Sequence, residues 1–219
     1  WQCQIMPLRA LGVGGGSGFD IVQAVRYAAG LENDYGISPA KRADIINMSL
    51  GGTGSTQFEQ NVYSEVHAAG VIVVAAAGNS GSSELEYPAS YENVISVAAV
   101  GPDRERAPYS QFNAGVDVSA PGGNARLGRE AQVASTLGSG TGAPGDIEFG
   151  FAYLQGTSMA TPHMAGVVAL MKSVFPALSP SQLDAVIADG SILDDAGTPG
   201  RDDQYGFGII NAAKAVQVA

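Results

Sequence analysis

Short runs of apolar, often β-branched residues alternate along the chain with segments whose apolar positions recur at helical spacing. IMPLRAL (5 to 11), DIINMSL (44 to 50), VIVVAAAG (71 to 78), VISVAAV (94 to 100) and VDVSAPG (116 to 122) read as strands, with helices predicted at DIVQAVRYAAG (20 to 30) and QFEQNVYSEVHAAG (57 to 70). Strand, helix and strand in alternation predict right-handed βαβ units around a parallel sheet, an α/β architecture. The strands are almost wholly apolar, as a sheet covered on both faces requires. After residue 122 the pattern changes to a stretch rich in Gly, Ser and Thr (124 to 155), which predicts the strands and loops of an exposed hairpin. Helical spacing returns over 158 to 174, in LSPSQLDAVIAD with Ser179 as N-cap and Pro180 at the first helical position, and in the closing IINAAKAVQVA.

Length and composition narrow this picture. At 219 residues the chain suits one sizeable core, and no repeat or linker divides it. The 21 acidic against 11 basic side chains give a net charge of −10, which argues against nucleic acid and anionic membranes as partners. No apolar run approaches the roughly 20 residues of a membrane span. The opening WQCQIMPLRAL has no initiator Met and no signal peptide, so the chain is expected to start inside a longer coding sequence. Cys3 has no second cysteine to pair with and reads as an ordinary thiol.

Three local features carry candidate chemistry. The glycines of LGVGGGSGFDIVQAV lie between a strand and a helix, where a dinucleotide site would keep G-x-G-x-x-G. The spacing fails: the third glycine falls on Ser17 counting from Gly12 and on Phe19 counting from Gly14. A close-packed glycine turn explains the segment better than a nucleotide site. In QGTSMATPHMAGVVALM, Ser158 enters a helix in its first turn, where the helix N-terminus stabilises developing negative charge; a plain capping role is the alternative.

His163 lies five residues past Ser158, and five steps of about 100° leave the two side chains about 140° apart around the helix. It is therefore expected to be structural. His67, the other histidine, precedes the Gly70 that ends its helix, and so belongs to the amino edge of the next strand, away from the carboxyl edge where α/β sheets hold their ligands.

GTSMATPHMAG, together with INMSLGG (46 to 52) and VVAAAGNSG (73 to 81), resembles the subtilisin-like serine proteases, the subtilases. YPASYENVISVAAV, DVSAPGG and YGFGIINAAKAV are similar to later segments of that family, so the resemblance covers nearly the whole chain. It implies a three-layer subtilisin-like fold with a mostly parallel central sheet between helices, and residues 1–219 as the C-terminal portion of one peptidase domain. By the same resemblance Ser158 is the nucleophile and Asn79, with the Ser158 backbone N–H, forms the oxyanion hole. Ser49, Leu50 and Gly51 would pair with the substrate backbone, and Ala76, Ala77 and Gly78 would form the other wall of the pocket for P1, the residue before the scissile bond. Glu86 matches the far end of that pocket, where its carboxylate would favour basic or hydroxyl-bearing P1 residues.

The resemblance further implies polypeptide substrates, secretion, no cofactor for the chemistry, and room for structural calcium near the carbonyls of PASYENV. No metal ligand is assigned. The family's triad Asp and His belong to motifs of the D-T/S-G and H-G-T-H type, which this sequence lacks. The expectation is that a complementary N-terminal segment of the same domain supplies them, that its strand fills a slot between IMPLRAL and DIINMSL, and that the 219 residues alone are inactive and not a stable monomer. Two other classes remain: an inactive, peptide-binding relative, and a nucleotide-binding module built on the glycine turn.

Overall fold

The structure, a computed structural model, describes residues 3–12, 14–140 and 145–219. Trp1, Gln2, Val13 and residues 141–144, on which parts of the sequence expectation fall, lie outside the described residues. Helix α1 (Gly18–Ala28) leads to strand β1 (Ile45–Met48), helix α2 (Gln57–Ala68), and strands β2 (Ile72–Ala76), β3 (Ile95–Val100) and β4 (Val118–Pro121). A hairpin of β5 (Val133–Ser139) and β6 (Glu148–Leu154) precedes helices α3 (Thr157–Val174) and α4 (Pro180–Ala188), two short strands β7 (Leu193–Asp194) and β8 (Ile209–Ile210), and helix α5 (Ala212–Val218). The main sheet runs β1-β2-β3-β4-β8-β7. Its β1 to β4 and β8 pairings are parallel, and only β7 against β8 is antiparallel.

The uninterrupted apolar character of β2 follows from its position between two cores. Successive strand side chains point to opposite faces. Ile72 and Val74 therefore join Val97, Val118, Ala160, Met164, Val168 and Leu183 in the core beneath α3 and α4. Val71, Val73 and Ala75 join Val22, Val25, Val62, Tyr63 and Val66 beneath α1 and α2. Helices on both faces of a mostly parallel sheet make the three layers that the alternating pattern predicts.

Caps explain where the helices begin. Ser17 and Thr56 accept from the N–H groups of Asp20 and Glu59, and Ser179 forms a full capping box with Gln182, with Pro180 at the start of α4. Each such cap stabilises its helix by about 1 kcal/mol.

IMPLRAL departs from expectation. Its residues join no ladder among the described residues, and Ile5 is 82% exposed. A run of β-branched and apolar residues becomes a strand only where a neighbour satisfies its N–H and C=O groups. The outer edge of β1 likewise carries no strand among the described residues, so β1 pairs with β2 alone. The glycine turn that follows is closed by reciprocal Gly12 and Gly15 backbone bonds. At the amino end of α1 the Ser17 hydroxyl donates to the Asp20 carboxylate at 2.7 Å. A carboxylate already placed at that helix terminus disfavours a phosphate there, against the nucleotide reading.

Candidate active site

The candidate residues converge at the carboxyl ends of β1 and β2, beneath the first turn of α3. Gly156, whose φ of 151° suits glycine, delivers the chain into that helix, and its N–H donates to Gly122 O at the end of β4. Ser158 follows in the first turn, half-buried. Its Oγ–H donates to Ser49 O at 3.3 Å, and Ser49 Oγ–H donates back to Ser158 O at 2.9 Å.

The second of these bonds has a cause in the sequence. Pro162 lies inside α3, four residues beyond Ser158, and has no N–H to offer the Ser158 carbonyl. Ser49 fills that gap and thereby ties the candidate nucleophile's turn to the end of β1.

Asn79 stands just past β2, and its orientation is fixed by Thr157. Asn79 Oδ1 accepts from Thr157 N at 2.9 Å and from Thr157 Oγ1 at 3.1 Å, while the same hydroxyl accepts from Gly78 N at 3.3 Å. With its oxygen held by the turn, the Asn79 amide nitrogen has no hydrogen bond among the described residues, and neither has the Ser158 backbone N–H. Two donors without a partner among the described residues thus lie at the turn that carries the Ser158 hydroxyl, at a helix N-terminus whose dipole favours negative charge.

Thr157 is fully buried, and the sequence reading missed it because Thr before Ser at a helix start passes for simple capping. Thr157→Val keeps the shape but removes both hydroxyl bonds and leaves Gly78 N unsatisfied, at a cost of about 1–3 kcal/mol. The expected result is a kcat lower by about tenfold with KM little changed, and a melting temperature lower by a few degrees, with Thr157→Ser restoring both. Steady-state kinetics and thermal melts on the three forms check it.

Beside Ser158, beyond the last β1–β2 ladder pair of Met48 opposite Ala75, Ser49, Leu50 and Gly51 run on from β1 and the buried Ala76, Ala77 and Gly78 from β2, the two edges of the candidate P1 cleft. Gly52 and Tyr87 exchange backbone hydrogen bonds of 2.9 and 2.7 Å and close its far end. The Glu86 carboxyl packs there: a Cβ on Gly78 would sit 2.6 Å from Oε1, and one on Gly51 would sit 3.3 Å from Oε2. Gly78, with φ 114°, is thus demanded both by the backbone and by Glu86 and Gln111 against it. Burial, and then the nearby Glu84 charge, push the Glu86 carboxyl above its ordinary range.

Neither histidine joins this group. His163 is exposed, and its Nδ1 lies 2.8 Å from Met159 O on its own helix. In the last turn of α2, His67 Nε2 lies 3.0 Å from Asp184 Oδ2. Among the described residues no cluster of three or more His, Cys, Asp or Glu side chains could hold a metal ion. PASYENV offers chiefly backbone oxygens, and those of Pro88 and Tyr91 already accept backbone N–H groups. No helix among the described residues is long and apolar enough to cross a membrane.

The family model described as "Subtilase family" matches residues 1–208. The chain is 41% identical, over its whole length, to an extracellular protease of Xanthomonas campestris pv. campestris, of which it covers 36%. It is 42% identical over 80% of its length to subtilisin DY of Bacillus licheniformis, covering 57% of that protein. Among solved structures, a protease from Pseudoalteromonas arctica superposes on 96% of the chain with a TM-score of 0.84 at 35% identity, 61% of that protein being covered. The chain therefore spans between about a third and three-fifths of the length of these relatives.

Proposed function

Since the chain belongs to the subtilase family, we propose that it carries the nucleophile, the oxyanion hole and the P1 pocket of a secreted serine endopeptidase. Ser158 Oγ attacks the scissile carbonyl carbon. The carbonyl oxygen becomes an oxyanion that accepts from Asn79 Nδ2–H and Ser158 N–H, donors unpaired until charge develops there. Collapse of the intermediate breaks the C–N bond and releases the amine, and water then frees the acyl group from Ser158.

The proton needs a base. In this reading a His and an Asp of a complementary N-terminal segment of the same domain act as base and orienting carboxylate, while His67 and His163 of the chain stand against Asp184 and Met159 O instead. The observation that carries the reading is the clamp of Thr157 on Asn79 Oδ1, which leaves the Asn79 amide N–H, like the Ser158 N–H, without a partner among the described residues at the turn that carries the Ser158 hydroxyl. The test is covalent labelling by a fluorophosphonate in the enzyme assembled with that segment. Label on Ser158 supports the reading, and an unlabelled Ser158 points to the inactive, peptide-binding alternative.

Secretion of the protein accords with relatives described as extracellular proteases. The position of Glu86 bears on substrate choice. A carboxylate at the closed end of the cleft has no salt bridge among the described residues and would attract a basic P1 side chain. Because its pKa is raised, the charge is present only above that raised value, so selectivity for Arg or Lys over Phe or Leu is expected to grow as pH increases through it. Glu86→Gln is expected to lower kcat/KM for P1 Arg by about tenfold and to flatten this pH dependence, with P1 Phe little changed. Profiling a P1-varied peptide series at several pH values checks both effects.

A further inference from the structure

The β5–β6 hairpin is the part of the molecule that the catalytic reading leaves unused. It is anchored directly to the candidate nucleophile's turn: the chain leaves the end of β4 at Gly122, returns through Leu154 and Gln155, and the Gly156 N–H bond to Gly122 O joins its two feet at 2.9 Å. Phe149, Phe151 and Tyr153 alternate along β6 and so share one face. Opposite them in the ladder stand Gly138, Thr136 and Ala134, too small to cover the rings. Phe149 is 86% and Phe151 83% exposed, while Tyr153 lies under the Arg129 guanidinium at 4.4 Å. Ile147, 54% exposed, extends the stripe. Large aromatic side chains so fully in water mark interaction surfaces more often than plain exterior.

The sheet order indicates what would cover them. The P1 cleft is built from the ends of β1 and β2, whereas the hairpin rises from the end of β4, two strands further along the sheet, and its second foot runs through Gly156 directly into Ser158. In the protease reading a peptide seated with P1 in the cleft has its scissile bond at Ser158, and the hairpin, whose second strand ends four residues before Ser158, is the element beside the part beyond the cut. At about 3.3 Å per residue Phe151 stands roughly 10 Å and Phe149 roughly 17 Å beyond Leu154, the reach of substrate residues about three to six positions downstream of the cut.

We propose that the Phe149–Phe151 stripe is a docking site for the downstream part of the polypeptide substrate, taking apolar side chains of an extended, unfolded chain. The inference rests on the protease reading above and adds a second recognition site to it. It favours unfolded proteins, whose apolar side chains are accessible, over short or polar peptides.

The test compares the double variant Phe149→Ser/Phe151→Ser with the parent in the intact enzyme, on three substrates identical up to the scissile bond. One is a p-nitroanilide ending there; one continues for six residues with Leu and Phe at the fourth and fifth; the third has Gly and Ser at those places. Both side chains are exposed, so the melting temperature is expected to hold. The expected result is a fall of about tenfold in kcat/KM on the apolar extended peptide, carried by KM, with the other two substrates unchanged. Equal kcat/KM of parent and variant on that peptide overturns the proposal alone, as does an equal fall on the anilide. A stripe that instead holds two copies together, shown by a dimeric parent and monomeric variant with no kinetic difference, also overturns it. A parent that leaves the anilide intact overturns the protease reading and this proposal with it.

Discussion

Ser158→Ala is expected to lower kcat on any peptide substrate by roughly 10⁶-fold and to abolish fluorophosphonate labelling, while the melting temperature stays nearly constant. The kinetic loss is large because the substitution removes the attacking oxygen, and the neighbouring Ser49 hydroxyl donates to Ser158 O instead. The structural loss is small. Among the described residues Ser158 Oγ makes one hydrogen bond, to Ser49 O at 3.3 Å, and the turn is held independently by the Thr157 bonds to Asn79 and Gly78 and by the Gly156 bond to Gly122. Activity assays on the intact enzyme, with mass spectrometry of the labelled protein, check both effects; residual activity above about 1% would place the nucleophile elsewhere.

Asn79→Leu is the second large effect. It removes the Nδ2 donor at nearly constant volume, and a single oxyanion donor is worth roughly 10²–10³ in kcat with KM almost unchanged, because the donor acts on charge present only in the transition state. The substitution also removes the acceptor that holds Thr157, so a control is required. Asn79→Asp keeps an oxygen for the Thr157 N–H and Oγ–H but replaces the donor by a negative charge. If Asn79 acts on the oxyanion, Asp lowers kcat at least as far as Leu. If Asn79 only braces the turn, Asp restores activity, and pre-steady-state acylation rates on the two variants separate these outcomes.

Much of the fold was legible in the chain because local rules and tertiary demands agree. The wholly apolar VIVVAAAG means a strand buried on both faces, and its alternate side chains do divide between the two cores. Ser179 and Pro180 announce the start of α4, and the change of composition after residue 122 announces the hairpin. IMPLRAL was misleading because strand propensity reports fitness for a ladder and cannot supply the partner. The two-residue strands β7 and β8 were missed because neither is long enough to show a period.

The candidate site divides along the same line. By itself the sequence determined the α/β class, the motif carrying Ser158, the resemblance that singled out Asn79 and Glu86, and, through helix geometry, that His163 cannot serve Ser158. These depend on neighbours within a few residues or on the alternation of apolar positions. Only the tertiary structure decided that Thr157 orients Asn79, that Ser49 satisfies the carbonyl Pro162 leaves open, that Glu86 packs between Gly51 and Gly78, and that His67 meets Asp184. Each joins residues between 8 and 117 positions apart, and a hydrogen bond or close packing contact exists only once the sheet has brought its partners within a few ångströms.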